Sequence, residues 1–180
     1  MIQMVKLVKG NESYKVECWN RTYEYDNSIF PSSIKIGGEE ILYAPITLNA
    51  QFGDVKGEWK NNYKRVFEEK EDTQTFVMSM ETENIILNAS VTSEEDGLLK
   101  TSFTVIPYWD QSPNNIPTLT KLWIDIPVKK KFAPLMHFYP GGSSAVSITT
   151  EIFNSGAVPE SKLELPFKAY TWLGWDNGGI

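Results

Sequence analysis

Apolar and polar residues alternate along much of the chain with the period of two that is typical of β-strands with one buried face. The most regular run covers residues 42–52, where every even position is apolar. Residues 75–80 and 85–92 alternate in the same way. Pro45 falls inside the first run, and because proline cannot donate to a strand ladder we expect it at an edge position or a bulge.

Glycine-containing turns separate these runs. Gly37-Gly38 and Asp96-Gly97 are typical of tight hairpin connections. Only residues 129–138 are compatible with a helical turn, which Pro134 keeps short. Turns that recur every ~8–12 residues predict roughly ten to thirteen strands and almost no helix. We therefore predict an all-β fold, a large antiparallel β-sandwich that residues 1–180 form as a single domain.

The C-terminal stretch is rich in aromatic residues. An extended segment at 166–173 leads into the turn sequence Gly-Trp-Asp-Asn-Gly-Gly at 174–179. A natural domain seldom ends directly after a turn without a returning strand. We therefore expect the chain to be a fragment of a longer protein that continues after Ile180.

Composition narrows the possible partners. The net charge is −6, from 17 basic and 23 acidic residues, which argues against nucleic acid because that partner requires a basic face. No segment approaches the ~18 consecutive apolar residues of a membrane span, so we expect no membrane partner. The start of the chain lacks the pattern of a signal peptide. Cys18 is the single cysteine, which precludes an internal disulfide, and its strand context predicts a small buried side chain.

The sequence holds no complete catalytic motif. His137 is the only histidine, which excludes a zinc site of several histidines, and its apolar neighbours indicate a structural residue at the entrance of a strand. The carboxylates cluster at 68–72 and 94–96, where solvated turns are expected. We therefore predict no catalytic residue, no metal ligand and no cofactor for this chain.

Aromatic residues beside aspartates are the more informative signal. Sugars stack their C–H faces on such rings while polar neighbours bind their hydroxyl groups. Asp125, two positions after Trp123, is a further carboxylate that could bind sugar hydroxyls. The alternative is that these rings pack under loops or in the core of the sandwich. The candidate carbohydrate-binding residues are Tyr108, Trp109, Asp110, Trp172, Trp175 and Asp176.

Several phrases, in order, resemble a known family. They are Phe30-Pro31, Ile41-Leu-Tyr-Ala-Pro45, Asp96-Gly-Leu-Leu99, Val105-Ile-Pro107, Leu119-Thr-Lys-Leu-Trp-Ile-Asp-Ile-Pro127, His137-Phe-Tyr-Pro140 and Pro166-Phe-Lys-Ala-Tyr-Thr-Trp-Leu-Gly174. This order resembles the N-terminal β-sandwich of bacterial proteins similar to glycoside hydrolase family 123, and the strand plan is similar to the galactose mutarotase-like supersandwich. In such proteins an acidic residue and an arginine are expected where this chain has Trp175 and Gly178.

The resemblance implies a function that the chain shares with a partner domain. In the family the catalytic carboxylates belong to a C-terminal barrel, and this chain has no alternating β/α pattern. We expect a non-catalytic module that supports such a barrel in a glycoside-hydrolase-like protein, and the resemblance suggests a secreted or periplasmic location. One alternative is an independent carbohydrate-binding module. The other is an enzyme similar to an aldose epimerase, which would need an acid and a base such as His137.

Overall fold

The computed structural model describes residues 5–10, 13–108, 118–139, 154–160 and 172–176. The chain forms two compact units, Met1–Pro127 and Val128–Ile180. The prediction that residues 1–180 form a single domain stays a prediction. Within the described ranges no helix is long and apolar enough to cross a membrane.

The described part of the first unit consists of twelve strands that form three antiparallel sheets. The strands are β1 (Lys6–Lys9), β2 (Tyr14–Cys18), β3 (Arg21–Tyr25), β4 (Ser33–Ile36), β5 (Glu39–Glu40), β6 (Thr47–Phe52), β7 (Val55–Lys56), β8 (Lys60–Glu69), β9 (Thr73–Glu81), β10 (Ile85–Glu94), β11 (Leu99–Pro107) and β12 (Leu119–Asp125).

The first sheet is a meander in the order β1-β2-β3-β4-β5. Along β2, the side chains of Tyr14, Val16 and Cys18 are buried, while those between them are partly exposed. The burial of Cys18 confirms the sequence prediction. Gly37 and Gly38 connect β4 to β5 with φ angles of +60° and +84°, a backbone conformation that glycine adopts without steric cost.

The second sheet has the order β11-β10-β9-β8. In β9 the side chains of Phe76 and Met78 are buried, and in β10 those of Leu87 and Val91 are buried. The predicted hairpin at Asp96-Gly97 connects β10 to β11, and Gly97 has a φ of +87°. The period-two alternation of both runs therefore corresponds to the side chains on the buried face of the sheet.

The apolar faces of these two sheets share one core. Phe76 of the second sheet makes edge-to-face contacts with Tyr14 and Tyr25 of the first, with ring centroids 5.0 Å apart in both pairs. Two sheets that bury their inner faces against each other form a sandwich. The predicted all-β antiparallel sandwich is confirmed. The buried residues of this core are Val5, Tyr14, Val16, Cys18, Tyr23, Tyr25, Ile29, Leu48, Phe76, Met78, Met80, Leu87, Ala89 and Val91.

The third sheet has the order β12-β6-β7. The alternating run that begins at Leu42 becomes a strand only from Thr47, so Pro45 precedes the strand rather than interrupting its ladder. In β12, Leu122 and Ile124 pair with the buried residues Ala50 and Leu48 of β6. The two β12 side chains are nevertheless 37% and 41% exposed. The apolar face of this sheet thus continues to the surface at its β12 edge.

The second unit contains a 3₁₀ turn (Lys130–Phe132) and the strands β13 (Leu135–Tyr139), β14 (Asn154–Ala157) and β15 (Trp172–Asp176). The strand β13 lies between the other two, and both pairings are antiparallel. The helical turn predicted for 129–138 is therefore limited to three residues, because a strand follows Pro134. Fifteen strands are described in all, and β5 and β7 have two residues each.

Candidate functional site

The predicted carbohydrate-binding residues are described to different extents. Tyr108 follows β11, and its side chain is half-buried. Trp109 and Asp110 lie outside the described residues. Trp172, Trp175 and Asp176 belong to β15, of which the structure describes the backbone and the strand pairing. Their role in sugar binding stays a prediction.

Tyr108 and Glu81 form a polar cluster on one face of the second sheet. The Tyr108 hydroxyl donates a hydrogen bond to Glu81, and the Asn62 amide donates to the same carboxylate oxygen at 2.8 Å. These hydrogen bonds, first that from Tyr108, lower the pKa of Glu81, and the same Tyr108–Glu81 bond raises the pKa of Tyr108. The phenol is thus held against β9 by a charge-assisted hydrogen bond.

Asp125 has a structural partner. Its carboxylate accepts a hydrogen bond of 2.8 Å from the side-chain amide of Asn49, which is only 4% exposed. The same amide nitrogen is 3.2 Å from the hydroxyl oxygen of Thr47. Asp125 therefore satisfies a buried polar group between β12 and β6, which sequence reasoning had not anticipated when it considered this carboxylate for sugar hydroxyls.

A cleft of about 690 Å³ opens beside the edge strand β8 of the second sheet. Its described lining combines aromatic rings, carboxamides and amines, and none of the described lining residues is acidic. Aromatic rings and amides are the groups that bind the apolar and polar faces of a sugar. The lining residues are Tyr14, Trp59 and Tyr63, then Asn27, Asn61 and Asn62, then Lys9, Lys64 and Gly10.

The local fold of β8 places several of these side chains at the cleft. The pairing of β8 with β9 shifts register between Asn61 and Tyr63, which indicates a bulge that turns neighbouring side chains out of strict alternation. Trp59 directly precedes β8 and packs against both core clusters of the first unit. Tyr63 is 49% exposed. The cleft therefore has one ring fixed on the core and one ring open to solvent.

Lys64 contributes an amine in an unusual environment. Its Nζ donates a hydrogen bond of 2.9 Å to the carbonyl oxygen of Tyr25. The same atom lies 4.4 Å from the centroid of the Tyr14 ring and 5.7 Å from that of Phe76. Burial lowers the pKa of Lys64 to about 8, although Asp26 opposes that shift.

The pKa of Lys64 predicts selective reactivity. At pH 8 about half of the Lys64 amines should be neutral, whereas the hydrogen bond to Glu17 raises the pKa of Lys15. We expect an amine-reactive acylating reagent to modify Lys64 at least about tenfold faster than Lys15 at pH 8, because the neutral amine is the nucleophile. Peptide mapping by mass spectrometry between pH 6 and 10 measures both rates. A Lys64 rate whose midpoint lies above pH 10 would contradict the assignment.

Other chemistry-bearing residues stand apart from the cleft. The part of the chain that the structure describes holds no group of three or more histidine, cysteine, aspartate or glutamate side chains placed to bind a metal. Cys18 is 2% exposed, and burial raises the pKa of its thiol, which makes it a poor nucleophile. His137 lies within β13 of the second unit, not at the entrance of a strand as the sequence had indicated, and it is half-buried.

Sequence reasoning missed the cleft for an identifiable reason. The alternation of Tyr63, Arg65 and Phe67 with their neighbours predicts a strand over residues 63–68 and a loop before it at 53–61. The strand β8 instead begins at Lys60 and pairs through a bulge, which alternation does not reveal. The available signal was the phrase Trp59-Lys-Asn-Asn62, where two carboxamides and an aromatic residue interrupt the period of two.

Comparison of the chain with family models and with curated proteins finds no match.

Proposed function

We propose that this chain is a non-catalytic carbohydrate-binding β-sandwich module of a larger glycoside-hydrolase-like protein. The observation that carries the proposal is the cleft beside β8, in which three aromatic side chains and three carboxamides line one cavity of about 690 Å³. A cavity of this size is within the range of small-molecule sites. The sequence resemblance to a sandwich that accompanies a glycoside hydrolase barrel points to the same class of ligand.

The aromatic rings and the carboxamides that line the cleft have complementary roles in this proposal. Tyr63, half-exposed on the edge strand, offers a ring on which a sugar can stack. Asn61 and Asn62 each carry both a donor and an acceptor, the combination that neighbouring sugar hydroxyls require. Trp59 packs on the core and is therefore held in place before any ligand arrives, which reduces the entropy lost on binding.

A second candidate function is that of a scaffold for the C-terminal catalytic barrel. The observation that favours it is the exposed apolar edge of the third sheet, where Leu122 and Ile124 of β12 are 37% and 41% exposed and Ile126, just after β12, is 48% exposed. Adjacent apolar side chains of this kind are typical of surfaces that another domain covers. The two candidate functions use different residues, since none of these three residues lines the cleft, so one protein can have both.

The aldose epimerase alternative has less support. That reaction needs an acid and a base on opposite sides of the sugar ring. The described lining of the cleft contains no histidine, aspartate or glutamate, and Lys64 is a lysine there whose pKa burial lowers to about 8. A binding role therefore fits the cleft better than acid–base catalysis does.

A glycan array followed by calorimetry tests the proposed function. Tyr63→Ala should weaken binding of the best glycan about tenfold, since loss of one stacking contact of about 1.4 kcal/mol has that effect. Tyr43→Ala is the matched control, because Tyr43 is 73% exposed and does not line the cleft. Trp175→Ala examines the site that the sequence predicts in β15.

The outcomes separate the proposals. Loss of binding in Tyr63→Ala alone supports the cleft, and loss in Trp175→Ala alone moves the site to β15. If no glycan on the array binds the unmodified chain, the carbohydrate-binding function is wrong and the scaffold function is the one to pursue.

A further inference from the structure

The ionisable side chains that line the cleft beside β8 are amines, although the chain as a whole is acidic. The chain carries 17 basic and 23 acidic residues and a net charge of −6, yet the described lining contributes Lys9 and Lys64 and no carboxylate. A cavity lined by one sign of charge concentrates ligands of the other sign. An acidic protein that keeps two amines at one cleft therefore favours an anion there.

The surroundings of Lys64 make this preference specific. Its Nζ has three donors, of which one is used by the Tyr25 carbonyl, and the rings of Tyr14 and Phe76 occupy another side. Among the described residues, no carboxylate forms an ion pair with this amine. Asp26 opposes the effect of burial on the pKa of Lys64 but forms no ion pair with the amine, so an anionic group in the cleft would offset the desolvation cost that remains.

Lys9 supplies the second positive charge at the cleft. Its amine pairs with Glu69, and both side chains are about half-exposed, at 50% and 47%. An exposed ion pair of this kind contributes little stability, so the amine can turn to a ligand at small cost. The two lysines differ in role: Lys64 is fixed by its contacts, and Lys9 is free to adjust.

We infer that the sugar bound in this cleft is anionic, with a carboxylate or a sulfate group that pairs with the Lys64 amine. This inference rests on the proposed carbohydrate-binding function and specifies its ligand class. Tyr63 and the carboxamides would bind the ring and its hydroxyls, while Lys64 selects the charged substituent. Uronic acids and sulfated sugars share the chemistry that the amine recognises.

Calorimetry at pH 7 with matched saccharides tests the inference. The probes are tetragalacturonate and its fully methyl-esterified form, then a sulfated galactan tetrasaccharide and its desulfated form. We expect at least one charged probe to bind about tenfold more tightly than its neutral counterpart, since one charge-assisted contact of about 1.4 kcal/mol gives that ratio. A charged-over-neutral preference for tetragalacturonate identifies a carboxylate as the anionic group, and the same preference for the sulfated galactan identifies a sulfate.

Variants of Lys64 connect the preference to the amine. Lys64→Met should remove the charged-over-neutral preference while binding of the neutral probe persists, and Lys64→Arg should retain it. Lys35→Met is the matched control, because Lys35 pairs with Glu24 at 3.3 Å and does not line the cleft. Binding of the charged probe by the unmodified chain at pH 8 should be accompanied by proton uptake, which titrations in buffers of different ionisation enthalpy detect.

The results distinguish this inference from the proposed function. Equal binding of charged and neutral probes, or a preference that survives in Lys64→Met, overturns the anionic ligand and leaves carbohydrate binding intact. Binding of citrate without binding of any saccharide overturns the carbohydrate-binding function and retains an anion site at Lys64. Absence of binding by saccharides and citrate alike overturns both.

Discussion

Replacing Phe76 with alanine should lower the free energy of unfolding by about 3–5 kcal/mol, the usual cost of deleting a fully buried aromatic side chain. Phe76 is 1% exposed and lies between the rings of Tyr14 and Tyr25 across the two sheets. The substitution loses the free energy gained by burying the Phe76 ring, leaves a cavity in the core and removes two edge-to-face contacts. Urea denaturation followed by tryptophan fluorescence measures the change. In thermal unfolding, the transition should fall by roughly 6–20 °C.

Two further substitutions make this prediction specific to the core. Val77→Ala, at the next position of β9, removes a side chain on the opposite face that is only partly buried, and it should cost less than about 1 kcal/mol. Phe76→Leu keeps most of the volume but no ring, so it should lie between the two because each aromatic pair adds about 0.5–1.5 kcal/mol. Equal effects of Phe76→Ala and Val77→Ala would contradict the register of β9.

The pattern of apolar positions predicts most of the sandwich for a clear physical reason. A strand with one buried face must alternate, so the runs that contain Phe76 and Leu87 fix both the element and the face that points inward. Glycines at Gly37 and Gly97 mark the turns because their positive φ angles exclude most other residues. These features depend on residues close together in sequence, and the structure agrees with them.

Features that depend on distant residues are not predictable in this way. Strand β6 begins at Thr47, although alternation extends back to Leu42. The cleft depends on a bulge in β8 and on the approach of Lys64 to Tyr14 and Tyr25, which lie far from it in the chain. No local pattern encodes that approach. The sequence therefore predicts sugar binding at tryptophans and gives no indication of the Lys64 amine.

The position of the cleft suits a binding role beside a rigid core. The Lys64 amine lies over the Phe76 ring, and Trp59 packs against the same core, so these two lining residues are fixed by the interactions that hold the sandwich together. Tyr63 and Lys9 are exposed and contribute little to that core. Stability and binding are therefore separable here: substitutions of Tyr63 should change affinity alone, whereas those of Phe76 should change both.

Replacing Asp125 with alanine should cost about 1–3 kcal/mol of unfolding free energy, although Asp125 itself lies at the surface. The cost arises at Asn49, whose buried amide loses the carboxylate that accepts its hydrogen bond at 2.8 Å. Thr47 remains as a second acceptor, at 3.2 Å, which keeps the cost below that of a fully isolated amide. Urea denaturation of the two proteins measures the difference.

The comparison of three variants separates this structural role from sugar binding. Asp125→Asn keeps an acceptor without the charge and should lose about half as much stability, because charge-assisted hydrogen bonds are roughly twice as strong as neutral ones. Asp54→Ala, in the turn between β6 and β7, should change stability by less than about 0.5 kcal/mol. If Asp125→Ala instead weakens glycan binding and leaves stability unchanged, then Asp125 is a ligand-binding residue. The surface of the third sheet would then take the place of the cleft beside β8 as the binding site.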